Sequence, residues 1–237
     1  MYRLIIKRQK AKDELGYIQK FLYQPTNELE TIASALIAIN AQEKILDEEG
    51  KESTPIEWEC SCLQKKCGAC AMVINGMPRL ACDAFLSEFK SKTDIVDIKI
   101  EPLRKFPVIR DLIVDRAILF ENLKILKAWL TDEAFMKDKR RELNYQASEC
   151  LQCGCCLDVC PNFYVGGSFY GPAAVPIMTR LLSETDLKDR KELAKLYSQH
   201  EFEGCGKSLS CQKICPKNID TQNLIVNAIA LSIWKIK

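Results

Sequence analysis

The sequence predicts an α+β fold in which a small mixed sheet with one packed helix is followed by a mainly helical part. Two observations carry this prediction. Before about residue 105, short segments rich in β-branched and aromatic residues surround a single helical segment. After Pro102 and Pro107, apolar residues recur at helical spacing. A third observation bears on function, because the cysteines are concentrated in three groups.

The N-terminal elements follow from local patterns. Residues 3–7 and 17–23 are predicted strands, and Pro25 ends the second one. Residues 31–46 form a predicted helix, with Ile32, Leu36 and Ile39 on one side. Residues 72–77 carry Asn-Gly between apolar residues, which predicts a hairpin. Residues 96–100 alternate apolar and charged side chains, which predicts a further strand.

The C-terminal elements are predicted to be helices. The apolar residues from Ile109 to Trp129 keep roughly helical spacing, and residues 181–197 and 224–234 are predicted as two further helices. The change of pattern predicts two domains, residues 1–105 and 106–237. No run approaches 18 apolar residues, so we expect no membrane span.

Composition narrows the class of protein. The chain has 237 residues, 47% hydrophobic and 28% charged, which is typical of a globular protein. Its net charge of +2 gives no electrostatic reason to expect a nucleic-acid partner. The N-terminus lacks the apolar core of a signal peptide, so we expect a reducing compartment. There, clustered cysteines bind metals or carry redox groups more often than they form disulfides.

The first cysteine group has the spacing of a plant-type [2Fe–2S] site. Cys62, Cys67 and Cys70 form C-x4-C-x2-C, and Cys82 follows the hairpin as the fourth ligand. Gly68 stands where the backbone must approach the cluster closely. The alternative is a four-cysteine zinc site, which usually consists of two close pairs instead. Cys60 fits no ligand position, so we interpret it as a small half-buried residue.

The second and third groups share one skeleton. Cys150, Cys153, Cys156 and Cys160 form C-x2-C-x2-C-x3-C, followed by Pro161, which is the bacterial ferredoxin run. The third group repeats this spacing through Cys205, Cys211, Cys215 and Pro216, with Ser208 at the second cysteine position.

In such runs the fourth cysteine binds the other cluster, so the ligands divide between two sites. The first set has four thiolates and predicts a [4Fe–4S] cluster; it comprises Cys150, Cys153, Cys156 and Cys215. The second set has only three thiolates and predicts a [3Fe–4S] cluster; it comprises Cys160, Cys205 and Cys211. A [4Fe–4S] cluster with the Ser208 oxygen as fourth ligand is the alternative, although a neutral hydroxyl substitutes poorly for a soft thiolate. Cys155 is left over, as a bystander or a residue that tunes the cluster's surroundings.

This combination resembles the iron–sulfur subunits of succinate dehydrogenase and fumarate reductase through nearly the whole chain. The segment 106–115 and the Gly171-Pro172-Ala173 loop with Arg180 also match the family. The resemblance implies a β-grasp [2Fe–2S] ferredoxin domain followed by an all-α ferredoxin-like domain. It also implies a flavoprotein partner with covalent FAD, a cytochrome b-type membrane anchor with haem b, and a quinone. Such a subunit passes electrons between FAD and quinone and performs no substrate chemistry.

The resemblance is weaker at the quinone end. Family members that reduce ubiquinone carry a Trp after the second group and a His in the third, and both are absent here. We therefore expect a menaquinone-type site, with Pro161, Tyr164 and Lys207 near the quinone. The expected location is the cytoplasmic side of the membrane, reached through the partner subunits. Two alternatives remain: the iron–sulfur subunit of a soluble fumarate reductase with a non-quinone donor, and a zinc-stabilised binding module without redox activity.

Overall fold

A computed structural model of the chain describes residues 1–90, 93–130, 133–134 and 140–234. These residues form two compact units, Met1–Asp115 and Arg116–Lys237. The sequence predicts the division near residue 105, and the units divide ten residues later.

The first unit is built on a five-stranded mixed sheet. Its strands are β1 (Tyr2–Arg8), β2 (Tyr17–Tyr23), β3 (Ala71–Ile74), β4 (Met77–Leu80) and β5 (Val96–Glu101), in the order β2-β1-β5-β3-β4. The pair β1–β5 is parallel, while the pairs β1–β2, β3–β4 and β3–β5 are antiparallel. All five strands lie where the sequence predicts them. Their order and the single helix between the hairpins give the β-grasp arrangement.

Helix α1 (Ile32–Asn40) covers the sheet and is shorter than predicted. Its N-terminus is held by a capping box, in which Ser34 N donates to Thr31 Oγ1 and Thr31 N donates to Ser34 Oγ. The predicted extension to residue 46 is wrong. Asn40 exchanges two hydrogen bonds of 2.8 Å with the backbone of Ile56, and the chain leaves the helix at Ala41.

The Asn75-Gly76 hairpin is confirmed, but the helix predicted from Ile109 is wrong at its start. Asn75 and Gly76 both have positive φ, as a two-residue hairpin turn of this kind requires. Strands β6 (Val108–Arg110) and β7 (Ile113–Val114) form a second small hairpin, and helix α2 (Ala117–Ile125) begins only after it. The apolar spacing there fits a helix and a hairpin equally well, and Asp111, at φ +45°, makes the turn.

The second unit is helical. It begins with α2 and continues with α3 (Arg141–Ser148), α4 (Cys155–Val159), α5 (Val175–Glu184), α6 (Leu187–Tyr197), α7 (Ser210–Ile214) and α8 (Thr221–Ile229), with π-helical turns at Ser198–Phe202 and Ala230–Trp234. The predicted helix at 181–197 is two helices, because the chain becomes extended at Thr185. The helix predicted at 224–234 is confirmed, with its last turn π-helical.

Two apolar clusters hold the second unit together. Helix α5 packs against α3, α6 and α8, and the short helices α4 and α7 pack against each other. Leu224 of α8 and Met178 of α5 are fully buried in these clusters. Within the described ranges, no helix combines the length and apolar character that a bilayer span requires.

Candidate metal centres

The loop of the first cysteine group directs backbone amides at cysteine sulfurs. The amides of Gln64 and Lys66 donate to Cys62 Sγ at 3.4 and 3.3 Å, and the amide of Lys65 donates to Cys82 Sγ at 3.4 Å. Leu63, Lys65 and Gly68 have positive φ, which turns the backbone so that these amides converge. A loop that stabilises negative charge on thiolates in this way fits an iron–sulfur cluster.

The four cysteines of this group come together as two pairs. Hydrogen bonds from the amides of Gln64 and Lys66, and then contact with Cys67, lower the pKa of Cys62 to about 7. Burial, together with the neighbouring Cys82, raises the pKa of Cys70 to about 12. The pairs Cys62–Cys67 and Cys70–Cys82 suit a [2Fe–2S] cluster, in which each iron takes two thiolates.

The structure also shows the surroundings of Cys60 and Lys65. Cys60, left out of the predicted ligand set, is exposed, so its interpretation as a half-buried residue is wrong. Lys65 Nζ lies 2.6 Å from Asp83 Oδ2, so its charge is already paired beside the cluster loop.

A buried ion pair in front of the loop was missed by sequence reasoning. Arg8 Nε lies 2.9 Å from Asp111 Oδ2, and both side chains are only 2% exposed. Arg8 also donates to the carbonyl of Pro55 at 2.8 Å, while the Asp111 carboxylate accepts from the amides of Gln9 and Glu57. The pair thereby fixes the position of Pro55 and Glu57, in the segment that leads into the cluster loop. One signal was available: Arg8 follows Leu4 and Ile6 on the inward face of β1.

The second and third groups fold into the same backbone shape. The second residue after the first cysteine has positive φ in both runs, at Gln152 and Lys207. The fourth residue does so too, at Gly154 and Leu209, and each begins a five-residue helix, α4 or α7. Ser208 therefore occupies the position of the second cysteine in a repeated structure.

The second site consists of Cys150, Cys153, Cys156 and Cys215, and its thiols lie close enough to affect one another's pKa. Burial and the nearby thiolates of Cys153, Cys150, Cys211 and Cys215 raise the pKa of Cys156. Burial raises the pKa of Cys150 to about 11, with contributions from Cys153 and Cys215.

The third site consists of Cys160, Cys205 and Cys211. There, burial raises the pKa of Cys211 to about 11, with contributions from Cys160 and Cys205. Cys211 thus lies near both other members of its set, and because Cys211 also raises the pKa of Cys156, the second and third sites adjoin.

Cys155 is fully buried, next to Cys153 of the four-thiolate set. Its hydrogen bond to Cys153 is the largest cause that raises the pKa of Cys155 and lowers that of Cys153 to about 7. The corresponding residues of the third run, Ser210 and Ser208, have their hydroxyl oxygens 3.3 Å apart. The two runs thus share this side-chain contact as well as their backbone.

A cavity marks the third site. It is a small cavity, partly open to solvent, and is lined by Cys160, Cys205 and Cys211 together with Ser208. Of the residues predicted near a quinone, Pro161 and Lys207 line this cavity, whereas Tyr164 does not; the Tyr164 ring is exposed and packs over Gly167.

Glu201, which sequence reasoning missed, also lines the cavity of the third site. It is 1% exposed, and neither of its carboxylate oxygens has a hydrogen-bond partner. Burial, with a contribution from Cys160, raises its pKa well above the ordinary value. The sequence gives no sign of this burial, because the side chain stands in a charged and polar stretch.

In the part of the chain that the structure describes, no three His, Cys, Asp or Glu side chains converge closely enough to share a single metal ion. Cluster ligands have no need to converge in this way, since each thiolate of a cubane binds a different iron.

Comparison with known proteins defines the class. Residues 3–121 match the family model described as "2Fe-2S iron-sulfur cluster binding domain", and residues 146–219 match the "4Fe-4S dicluster domain". The chain is therefore a two-module iron–sulfur protein. Both models describe iron–sulfur domains, so the zinc-stabilised module has no support.

Individual relatives define the family. The chain is 36% identical over 230 residues to the succinate dehydrogenase iron–sulfur subunit of Bacillus subtilis, covering 92% of this chain and 87% of the relative. It is 32% identical over 174 residues to a fumarate reductase iron–sulfur subunit of Escherichia coli, covering 70% of this chain and 69% of the relative. The chain belongs to the family of iron–sulfur subunits of succinate dehydrogenase and fumarate reductase, which are subunits of oxidoreductase complexes.

The fold agrees with this assignment. A chain of the solved structure titled "Mycobacterium smegmatis Sdh1 complex in the apo form" superposes with a TM-score of 0.72 at 23% identity. The match covers 100% of this chain and 97% of the other.

Proposed function

We propose that this chain carries electrons one at a time between the FAD of a flavoprotein subunit and a menaquinone-type quinone, through three iron–sulfur clusters. It does so as part of a succinate:quinone or quinol:fumarate oxidoreductase. The flavoprotein and a cytochrome b-type anchor, with haem b, are its partners. The chain lies at the cytoplasmic side of the membrane, where those partners hold it.

One observation carries the proposal: two cysteine runs share a backbone shape and differ at one ligand position. Positive φ at Gln152 and Lys207, and again at Gly154 and Leu209, supports the binding of similar clusters by the two runs. The exchange of fourth cysteines supports a [4Fe–4S] cluster on Cys150, Cys153, Cys156 and Cys215. Ser208 leaves three thiolates at the other site, which supports a [3Fe–4S] cluster on Cys160, Cys205 and Cys211.

When bound, the clusters supply one-electron redox chemistry, which links the two-electron chemistry of a flavin to that of a quinone. The residues of the chain hold the clusters and set the charge around them. The amides of Gln64, Lys65 and Lys66 stabilise the thiolates of the first site. At the second site, Arg116 donates a hydrogen bond of 3.4 Å to the Cys153 carbonyl and lowers the pKa of the Cys153 thiol.

The quinone end rests on the surroundings of the third site. Pro161 and Lys207 line its cavity, and Lys207 is exposed, so its ammonium group can reach a bound acceptor. The absence of the Trp and His of ubiquinone-reducing relatives from the sequence supports a menaquinone-type acceptor. A soluble fumarate reductase with a non-quinone donor is the second candidate, supported by the same missing residues.

The test is steady-state turnover of the purified complex with matched quinone analogues. We expect succinate oxidation or fumarate reduction to be faster with menaquinone analogues than with ubiquinone analogues. Lys207→Ala should lower quinone-dependent turnover while leaving flavin-dependent reduction of a soluble dye unchanged. Equal rates with both quinones would refute the menaquinone assignment. Purification of an active flavoprotein complex without detergent or anchor would favour the soluble candidate.

A further inference from the structure

Gln152 donates a side-chain hydrogen bond to a predicted ligand of the [4Fe–4S] cluster. Its Nε2 atom lies 3.1 Å from Cys150 Sγ and 2.8 Å from the carbonyl oxygen of Ala173. A thiolate and a carbonyl are both acceptors, so the NH2 group must face them and the amide has only one acceptable orientation.

The rest of the side chain shows that this contact is held in place. Gln152 has φ +49°, a left-handed conformation that is unfavourable for a residue with a Cβ. Its Oε1 atom is buried without a hydrogen-bond partner, which is a further cost. The N–H···S contact is therefore present although the backbone conformation of Gln152 and its unpaired Oε1 acceptor both cost free energy.

The third run provides an internal comparison. Lys207 has the same position in its run and a similar φ of +54°. Its Nζ atom lies 5.6 Å from the centre of the Phe202 ring, and it is exposed. The third site thus has the ammonium group of Lys207, and no amide, at the position that Gln152 occupies in the second site.

We propose that Gln152 tunes the [4Fe–4S] cluster: its amide N–H···S bond to Cys150 raises the midpoint potential of that cluster. One electron is added on reduction, no bond forms or breaks, and the amide keeps its protons. The added negative charge is shared with the thiolate sulfurs, so a donor to one of them stabilises the reduced state more than the oxidised state. The inference rests on the proposed function, because it requires the cluster to be bound by Cys150.

The experiment is an EPR-monitored redox titration of the intact complex carrying Gln152→Met. Met keeps the length of the side chain and removes the donor. We expect about a tenfold smaller equilibrium constant for reduction, which for one electron is a shift of about 59 mV to lower potential. Gln152→Glu, which replaces the donor by a carboxylate, should shift the potential further in the same direction. The potentials of the other two clusters should stay unchanged in both variants.

The matched control is Gln212→Met. Gln212 also stands next to a predicted ligand cysteine, but its Oε1 accepts from the amide of Gln222 at 2.9 Å, and among the described residues its side chain donates to no sulfur. We expect wild-type potentials. A second readout is the coupling between the cluster spin and deuterons exchanged into the protein in D2O, measured by EPR-based methods. Gln152→Met should lose one such deuteron coupling at the [4Fe–4S] centre, and Gln212→Met should retain it.

The outcomes separate the two proposals. An unchanged potential in Gln152→Met at full [4Fe–4S] signal overturns the tuning role, whether the deuteron coupling is lost or retained. Loss of the cluster signal from Gln152→Met, with normal signals from Gln152→Glu and no shift, also overturns it and assigns a purely structural role. A wild-type complex without any [4Fe–4S] signal would instead overturn the ligand assignment on which the proposed function rests.

Discussion

Ser208→Cys should convert the third site into a [4Fe–4S] site. The exchange replaces one hydroxyl oxygen by sulfur at the position that Cys153 occupies in the second run. Both runs have the same pattern of positive φ, so the new thiol points where a ligand of the second site points. Ser208 lines the cavity and is exposed, so the exchange should change the free energy of unfolding by no more than about 0.5 kcal/mol.

The expected change in composition is a gain of one iron per chain. The wild-type complex should contain about nine irons in this subunit, two, four and three in the successive clusters, and the variant about ten. The assay is iron and sulfide analysis of anaerobically prepared complex, together with EPR of the oxidised state. The signal of an oxidised [3Fe–4S] cluster should disappear, and a second [4Fe–4S] signal should appear on reduction.

Ser210→Cys is the matched control. Ser210 corresponds to Cys155, which lies outside the predicted ligand set, and its hydroxyl is 3.3 Å from that of Ser208. The control should keep nine irons and the [3Fe–4S] signal. The reasoning is wrong if Ser208→Cys retains the [3Fe–4S] signal at full occupancy, or if Ser210→Cys converts the site equally well.

Three further variants test the surroundings of the sites. Gly171→Ala should cost about 2–4 kcal/mol in denaturant unfolding, because φ is +83° and the new Cβ would lie 2.4 Å from a side-chain carbon of α4. Gly166→Ala, at φ +82° in open space, should cost only about 1–2 kcal/mol. Equal losses in the two variants would show that the crowding at Gly171 is relieved. Asp111→Ala should cost about 3–5 kcal/mol, since it leaves the Arg8 charge buried and unpaired; a loss below 1 kcal/mol in the same unfolding assay would contradict the role of the pair. Cys155→Ala should retain all three clusters by EPR, and a missing cluster signal would identify Cys155 as a ligand.

The elements that the sequence predicts well are those determined by neighbours along the chain. The Asn75-Gly76 turn has its own backbone preference, and the strands on either side of it alternate. The ligand runs are also local, because a loop that wraps a cluster must place its cysteines at fixed intervals.

The features that sequence reasoning missed depend on distant contacts. Helix α1 ends early because Asn40 bonds to Ile56 rather than to a helical neighbour. The second hairpin has apolar residues at intervals that also suit a helix, and only the carboxylate of Asp111, bonded to Gln9 and Glu57, distinguishes the two. The burial of Glu201 depends on which helices surround it.

The measurement that tests the account most directly is an EPR redox titration of the intact complex, combined with iron and sulfide analysis. We expect three separate centres, one [2Fe–2S], one [4Fe–4S] and one [3Fe–4S], with about nine irons per chain. Two centres only, or zinc in place of iron at any of the three cysteine groups, would contradict it.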